Sequence, residues 1–234
     1  MWKIIDLFFP PRCIVCDGLL KPAEQGVCAR CEPLLKKVGS PYCMKCGKEL
    51  EDEGAVFCKD CRLHTHVFES GRALFQYNDA MKRSLYRYKY DGRKEYAATY
   101  GRVLFEDLGD WIRKVAPSCI IPIPLSENRL KKRGYNPAEL IGAALCERLH
   151  IPLCNDLLIR CADTKKQKEL NVSEREKNLK KAFKTTRNNV KLDTVLLIDD
   201  IYTTGATMDA AAACLKAAGI GRVYAMALSI GRNS

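Results

Sequence analysis

The stretch Val195-Leu196-Leu197-Ile198-Asp199-Asp200-Ile201-Tyr202-Thr203-Thr204-Gly205-Ala206-Thr207 decides how this chain is read. Its first four residues form an unbroken apolar run of the kind buried on both faces of a parallel sheet. Two carboxylates follow at once, then a turn rich in hydroxyls, then a helical pattern through Met208, Ala211, Ala212 and Leu215. Strand, loop and helix in that order make half of a βαβ unit, and open sheets of this kind bind ligands at the carboxyl ends of their strands. Adjacent Asp199 and Asp200 suit a pair of vicinal hydroxyls, because each carboxylate accepts a hydrogen bond from one OH. Thr203, Thr204, Gly205, Ala206 and Thr207 add hydroxyl donors and a row of backbone N–H groups at a helix N-terminus, where a phosphate is favoured. Diol recognition beside phosphate recognition matches a ribose 5-phosphate. A lone Asp-Asp would be an ordinary solvated strand end; the attached loop is what makes it specific. Neither G-x-x-x-x-G-K-[ST] nor a G-x-G-x-x-G after a strand is present, so the Walker and Rossmann readings fall away.

Working outward, Gly219 ends the helix and Val223 to Ile230 supplies the next strand. Upstream, Leu104, Phe105, Leu108, Trp111, Ile112 and Val115 keep helical spacing and predict an amphipathic helix that stops before Pro117. Cys119-Ile120-Ile121-Pro122-Ile123-Pro124 reads as a short buried strand running into a loop, since two prolines forbid a helix there. Asn136-Pro137 is an N-cap followed by proline at the first helical position, with Leu140, Ile141, Ala144, Leu145 and Leu149 as the apolar face. Residues 161–181 are polar and lysine-rich with little periodicity, which predicts a long loop of the kind that serves as a lid. These alternating patterns place an α/β domain after residue 66.

The first 66 residues are different. Eight of the 13 cysteines fall into four C-x-x-C pairs, Cys13/Cys16, Cys28/Cys31, Cys43/Cys46 and Cys58/Cys61. The pairs recur with a period of 15, a repeat that no hydrophobic core would require. Each pair places two thiolates on one metal ion, and two pairs complete the tetrahedral sulfur set that Zn²⁺ prefers, so eight thiolates predict two structural zinc ions. Sequential use of the pairs makes two zinc-ribbon-like units in series; an interleaved arrangement, first pair with third and second with fourth, satisfies the spacing as well. No secretory signal is legible, and a reducing cytoplasm favours metal over disulfides. With four protein ligands each, the sites leave no place for a catalytic water. His64 and His66 are surplus to the ligand set and read as surface or boundary residues. Cys119, Cys146, Cys154, Cys161 and Cys214 lack such spacing and read as plain thiols.

Composition bounds the partners. A hydrophobic fraction of 47% with 29% charged residues is that of an ordinary globular chain, and no apolar run approaches the roughly 20 residues of a membrane span. The short Ile4 to Phe9 run, broken by Asp6, reads as a buried or partner-docking segment. A net charge of +11 points to anionic partners such as nucleic acid, single-stranded DNA included, nucleotides or acidic lipid, and does not choose among them. The basic residues gather at Lys82, Arg83, Arg87, Lys89, Arg93 and Lys94, and again between Lys165 and Lys191; a solvated face explains either cluster equally well. Tyr86, Tyr88 and Tyr90 in the first cluster could stack on a base or pack in the core.

Residues 195–207 resemble the motif with which type I phosphoribosyltransferases bind 5-phosphoribosyl-1-pyrophosphate (PRPP), and the chain resembles the ComF family, ComFC-type late competence proteins in particular, over nearly its full length. The residues that carry the likeness are Pro10-Pro11-Arg12-Cys13 with the cysteine pairs, Lys89-Tyr90-Asp91-Gly92-Arg93, Pro122-Ile123-Pro124-Leu125 with Arg129 and Arg133-Gly134-Tyr135-Asn136, and Gln167 through Arg175. The resemblance implies a type I phosphoribosyltransferase-like α/β domain with a central, mostly parallel sheet over 67–234, preceded over 1–66 by a double zinc-ribbon-like module. It implies that Asp199 and Asp200 hold the ribose hydroxyls at the catalytic centre and that Thr203 to Thr207 cradle the 5-phosphate. Pro124, Leu125 and Ser126 would form the pyrophosphate loop with Arg129 and Arg133 nearby, and Lys165, Lys166, Gln167 and Lys168 would lie on the lid. Mg²⁺ would accompany PRPP, and a ComFA-type helicase would be the protein partner. Three functions remain open at this point: transfer of phosphoribose to a nitrogen nucleophile, DNA uptake in natural transformation, and PRPP sensing without catalysis.

Overall fold

The computed structural model describes residues 10–161, 182–186 and 191–231. Its elements are β1 (Gly71–Gln76), β2 (Cys119–Pro122), β3 (Leu158–Arg160), β4 (Phe183–Thr185), β5 (Thr194–Tyr202) and β6 (Arg222–Ile230). The helices are α1 (Lys59–Leu63), α2 (Asp79–Tyr90), α3 (Tyr96–Val115), α4 (Glu127–Arg133), α5 (Pro137–Leu149) and α6 (Ala206–Ala217). The apolar run at 195–198 forms the middle of β5, which pairs in parallel with β6 on one side and β2 on the other. β1 pairs in parallel with β6, giving a four-stranded sheet in the order β1-β6-β5-β2. β3 and β4 form a separate antiparallel pair.

Side chains along a strand alternate between faces, and both faces here are covered. Val195 and Leu197 pack with Ala211, Ala212 and Leu215 of α6, whereas Leu196 and Ile198 pack with Tyr100 and Leu104 of α3 and Ile141 and Leu145 of α5. The expected helix at Leu104 to Val115 is present and begins earlier, at Tyr96. Asn136 caps α5 as its type requires, accepting from the Ala138 N–H at 3.1 Å with Pro137 in the first turn.

One expectation needs correction. The turn placed directly after the aspartate pair starts later, because β5 runs on through Tyr202 while β6 still offers hydrogen-bond partners as far as Ile230. Arg129 and Arg133, expected near the pyrophosphate loop, lie on the short helix α4, which Gly134 ends at φ +78°.

The cysteine-rich segment clasps the sheet. Cys13, Ile14, Val15 and Leu20 pack into the α2–α3 side of the core, and Cys43, Cys46, Leu50 and Cys58 into the α6 side. Between them, residues 36–38 run antiparallel to β1, with Val38 N donating to the Leu74 carbonyl and Gln76 N to the Lys36 carbonyl, both at 2.8 Å. At the opposite edge, Ile120 N donates to the Pro152 carbonyl and Cys154 N to the Ile120 carbonyl, so that a short extended segment flanks β2. Among the described residues no helix is long and apolar enough to cross a membrane.

Candidate functional site

The cysteines resolve the open pairing. The sulfurs of Cys13, Cys16, Cys28 and Cys31 lie within 4.8 Å of one another, and so do those of Cys43, Cys46, Cys58 and Cys61, which is the sequential arrangement. Cys16 and Cys28 stand 3.8 Å apart and Cys46 and Cys58 3.7 Å apart. Four sulfurs held about 2.3 Å from a zinc ion define a tetrahedron with edges of about 3.8 Å, so the spacing fits the metal. The two units are copies: hairpin bridges join Arg12 to Leu19 and Tyr42 to Glu49, and each first knuckle ends on a left-handed residue, Asp17 at φ +63° and Gly47 at φ +78°. Four thiolates this close cannot all ionise unaided. Burial favours the thiol of Cys16, but the Gly18 N–H and neighbouring thiols outweigh it and hold its pKa at about 7, while burial and the same neighbours push Cys31 up to about 12. A dication is what lets all four carry charge together.

Inside the C-terminal half of β5, Asp199 and Asp200 have different company. Asp200 is buried and ion-paired with Lys89 of α2, Nζ to Oδ1 at 2.6 Å, with both side chains largely covered. Asp199 accepts the Asp200 N–H at 2.8 Å, and burial, followed by the neighbouring charge of Asp200, pushes its pKa up to about 7. Thr203 and Thr204 are exposed, Ala206 and Thr207 half-buried, and Gly205 is the N-cap of α6 at φ +82°. Among the described residues no side-chain hydrogen bond caps the start of α6.

The segment before α4 lies alongside. Ile123 N donates to the Ile198 carbonyl at 2.9 Å and Asn136 Nδ2 donates to the Ile123 carbonyl at 3.0 Å, fixing Pro124, Leu125 and Ser126 next to the aspartate pair. Ser126 Oγ and Tyr135 Oη are buried without a hydrogen-bond partner among the described residues, the condition of groups that await a ligand. Arg129 is exposed on α4, and the Arg133 guanidinium lies 5.1 Å from the centre of the Tyr90 ring. Lys165, Lys166, Gln167 and Lys168 lie outside the described residues, as do Ile4 to Phe9.

Two residues join the site that sequence reasoning gave no role there. Lys89 stood out as a cation in a basic cluster and as part of the stretch that carries the family likeness, with no role at the aspartate pair. His66, read as a surface or boundary residue, is 6% exposed and bonded to Asp209 of α6, whereas His64 is exposed. The tyrosines of α2 divide: Tyr88 is fully buried with its hydroxyl donating to the Pro137 carbonyl at 2.9 Å, while Tyr86 and Tyr90 stay exposed with ring centres 5.1 Å apart.

A parallel α/β sheet clasped by two four-cysteine ribbons is the class that fold and site define. A family model described as "Double zinc ribbon domain" matches residues 4–62. The chain is 31% identical over 227 residues to "Competence protein F" of Haemophilus influenzae, covering 95% of this chain and 98% of that one. It is 35% identical over 153 residues to "Competence protein ComFC" of Bacillus subtilis, 64% of this chain and 59% of the relative's length. To "DNA utilization protein YhgH" of Escherichia coli K12 it is 28% identical over 127 residues, 53% of this chain and 56% of the other. The chain belongs to the ComF family of competence proteins.

Proposed function

We propose that this protein serves DNA uptake and binds PRPP at the end of β5, as a phosphoribosyltransferase-type domain with an acceptor still to be identified. The competence and DNA-utilisation relatives support the first part. For the second, one observation carries the reading: within eight residues of one strand end, two carboxylates stand beside an uncapped, glycine-opened helix N-terminus. Asp199 and Asp200 accept the ribose hydroxyls, and the Thr203 to Thr207 turn takes the 5-phosphate on backbone N–H and hydroxyl donors. The buried Ser126 hydroxyl, on the loop fixed beside β5, is a donor for the pyrophosphate, with Arg129 and Arg133 supplying positive charge as that group leaves C1. Carboxylates beneath the ribose favour the positive charge that builds on it. Mg²⁺ accompanying PRPP would add positive charge as the diphosphate leaves. Replacing both Asp199→Asn and Asp200→Asn removes the ribose contacts, and calorimetry should find PRPP binding lost in a protein that still folds. Undiminished binding ends the site assignment.

The exposed pair Tyr86 and Tyr90, with Lys82 and Arg83 on the same helix and Arg133 over one ring, also favours contact with single-stranded DNA, whose bases stack on aromatic faces while cations meet its phosphates. Tyr86→Ala with Tyr90→Ala should weaken binding of an oligothymidylate about tenfold or more, with the salt dependence of binding kept. Equal affinity would remove α2 from the DNA contact. A ComFA-type helicase is the protein partner that the family resemblance suggests.

A further inference from the structure

The turn that opens α6 rests on a histidine. A Cβ placed on Gly205 would fall 2.3 Å from Tyr202 Oη and 2.8 Å from His66 Cε1, so these two rings form the floor beneath the turn. The Nδ1 of His66 lies 2.7 Å from Asp209 Oδ2, and because a carboxylate only accepts, Nδ1 carries the proton. The Val67 N–H donates to the other oxygen of Asp209, also at 2.7 Å, and the Tyr202 hydroxyl lies 3.4 Å from Nε2. Asp209 stands in the first turn of α6, where a loose carboxylate would cap the N–H groups or repel a phosphate. Both its oxygens are instead engaged by the 66–67 segment.

That segment is in turn tied to the first knuckle of the second zinc ribbon. Phe68 stacks on the imidazole with ring centres 4.9 Å apart and meets the Tyr202 ring edge-on at 6.3 Å. Lys45, which sits between the ligands Cys43 and Cys46, holds its Nζ 5.5 Å from the centre of the Phe68 ring and donates to the carbonyls of Phe68 and, at 3.0 Å, of Glu69. A continuous run of contacts therefore leads from the four-cysteine site through Lys45, Phe68 and His66 to Gly205.

We propose that His66 is the positioning residue of the phosphate loop: it supports the Gly205 turn, turns the charge of Asp209 aside, and anchors both to the second zinc ribbon. The proposal rests on the reading of Thr203 to Thr207 as a 5-phosphate site. It is tested on the zinc-loaded, full-length protein by titrating ribose 5-phosphate and, separately, pyrophosphate into His66→Leu and His66→Asn. Leucine keeps bulk without a donor, whereas the asparagine amide restores an N–H where Nδ1 stood. The expected result is a loss of about tenfold or more in ribose 5-phosphate affinity for His66→Leu, with most of it regained in His66→Asn. Pyrophosphate, on the loop before α4, should bind with unchanged affinity, which a general loosening of the fold would not allow. Wild-type affinity for ribose 5-phosphate in His66→Leu, or a parallel loss for both ligands, overturns the proposal. Should His66→Leu fail to fold, Lys45→Met severs the same run of contacts nearer the zinc and should show the same selective loss; ordinary ribose 5-phosphate binding there overturns the proposal equally. If the wild-type protein takes up neither ribose 5-phosphate nor PRPP, the reading of the loop itself has failed, and the role of His66 with it.

Discussion

Asp199 and Asp200 share a peptide bond yet do different work. Asp200 has a partner in Lys89 that holds it in place, and a ribose bound as proposed would compete with that ammonium for the same oxygen. Asp199 pays for its position, because its pKa is raised to about 7 by burial and by the charge next door. A carboxyl that holds its proton more tightly when folded than when unfolded supports the fold at low pH, and this support disappears as the pH rises through the folded value. Asp199→Asn should therefore stabilise the protein by an amount that grows from about pH 4 to pH 7 and then levels off, reaching about 4 °C in the unfolding temperature at pH 8. Equal gains at pH 4.5 and pH 8 in thermal unfolding would show that burial of this carboxyl has been misjudged. Local signatures made the two cysteine sets legible and placed the aspartate pair on a buried parallel strand. The pairings of Lys89 with Asp200 and of His66 with Asp209 escaped because they span 111 and 143 residues, and no periodicity encodes a contact of that length.

At the scale of the element, the same rule explains which boundaries the sequence showed. The start of α5 was legible because Asn136 and Pro137 fix it within one turn. The end of β5 was not, because its last residues are strand only through their pairing with β6. The turn between β5 and α6 depends on glycine for two reasons at once, a left-handed φ of +82° and the absence of room for a Cβ. Gly205→Ala should cost about 2–4 kcal/mol in urea unfolding, strain and overpacking together. Gly134→Ala provides the control, since Gly134 shares a positive φ but has nothing within 4 Å of the added methyl, and it should cost only about 1 kcal/mol. Similar costs at both positions would mean that the floor of Tyr202 and His66 yields easily.

At the scale of the molecule, the ribbons are structural members of the sheet as well as metal centres. The period of 15 announced two four-cysteine units, but nothing in it revealed that one would pack on each side of the sheet with residues 36–38 along β1. That placement depends on apolar residues such as Ile14, Val15 and Leu50, too few and too scattered to form a pattern. Removing zinc should therefore harm more than the ribbons. Metal analysis should return about two zinc ions per chain, and a strong chelator should release them, abolish cooperative thermal unfolding and cause light-scattering aggregation as β1 loses its cover. A chelated protein that stays monodisperse and melts as before would show that the clasp is dispensable.

The strand order β1-β6-β5-β2 also bears on how the protein is made. β1 leaves the ribosome early, whereas β6, its only partner within the sheet, is the most distal of the described strands, so through most of synthesis the neighbour available to β1 is the stretch between the two ribbons. A nascent chain that has already captured its metal holds β1 in a template until β6 arrives; one that has not must carry a bare strand while the rest is translated.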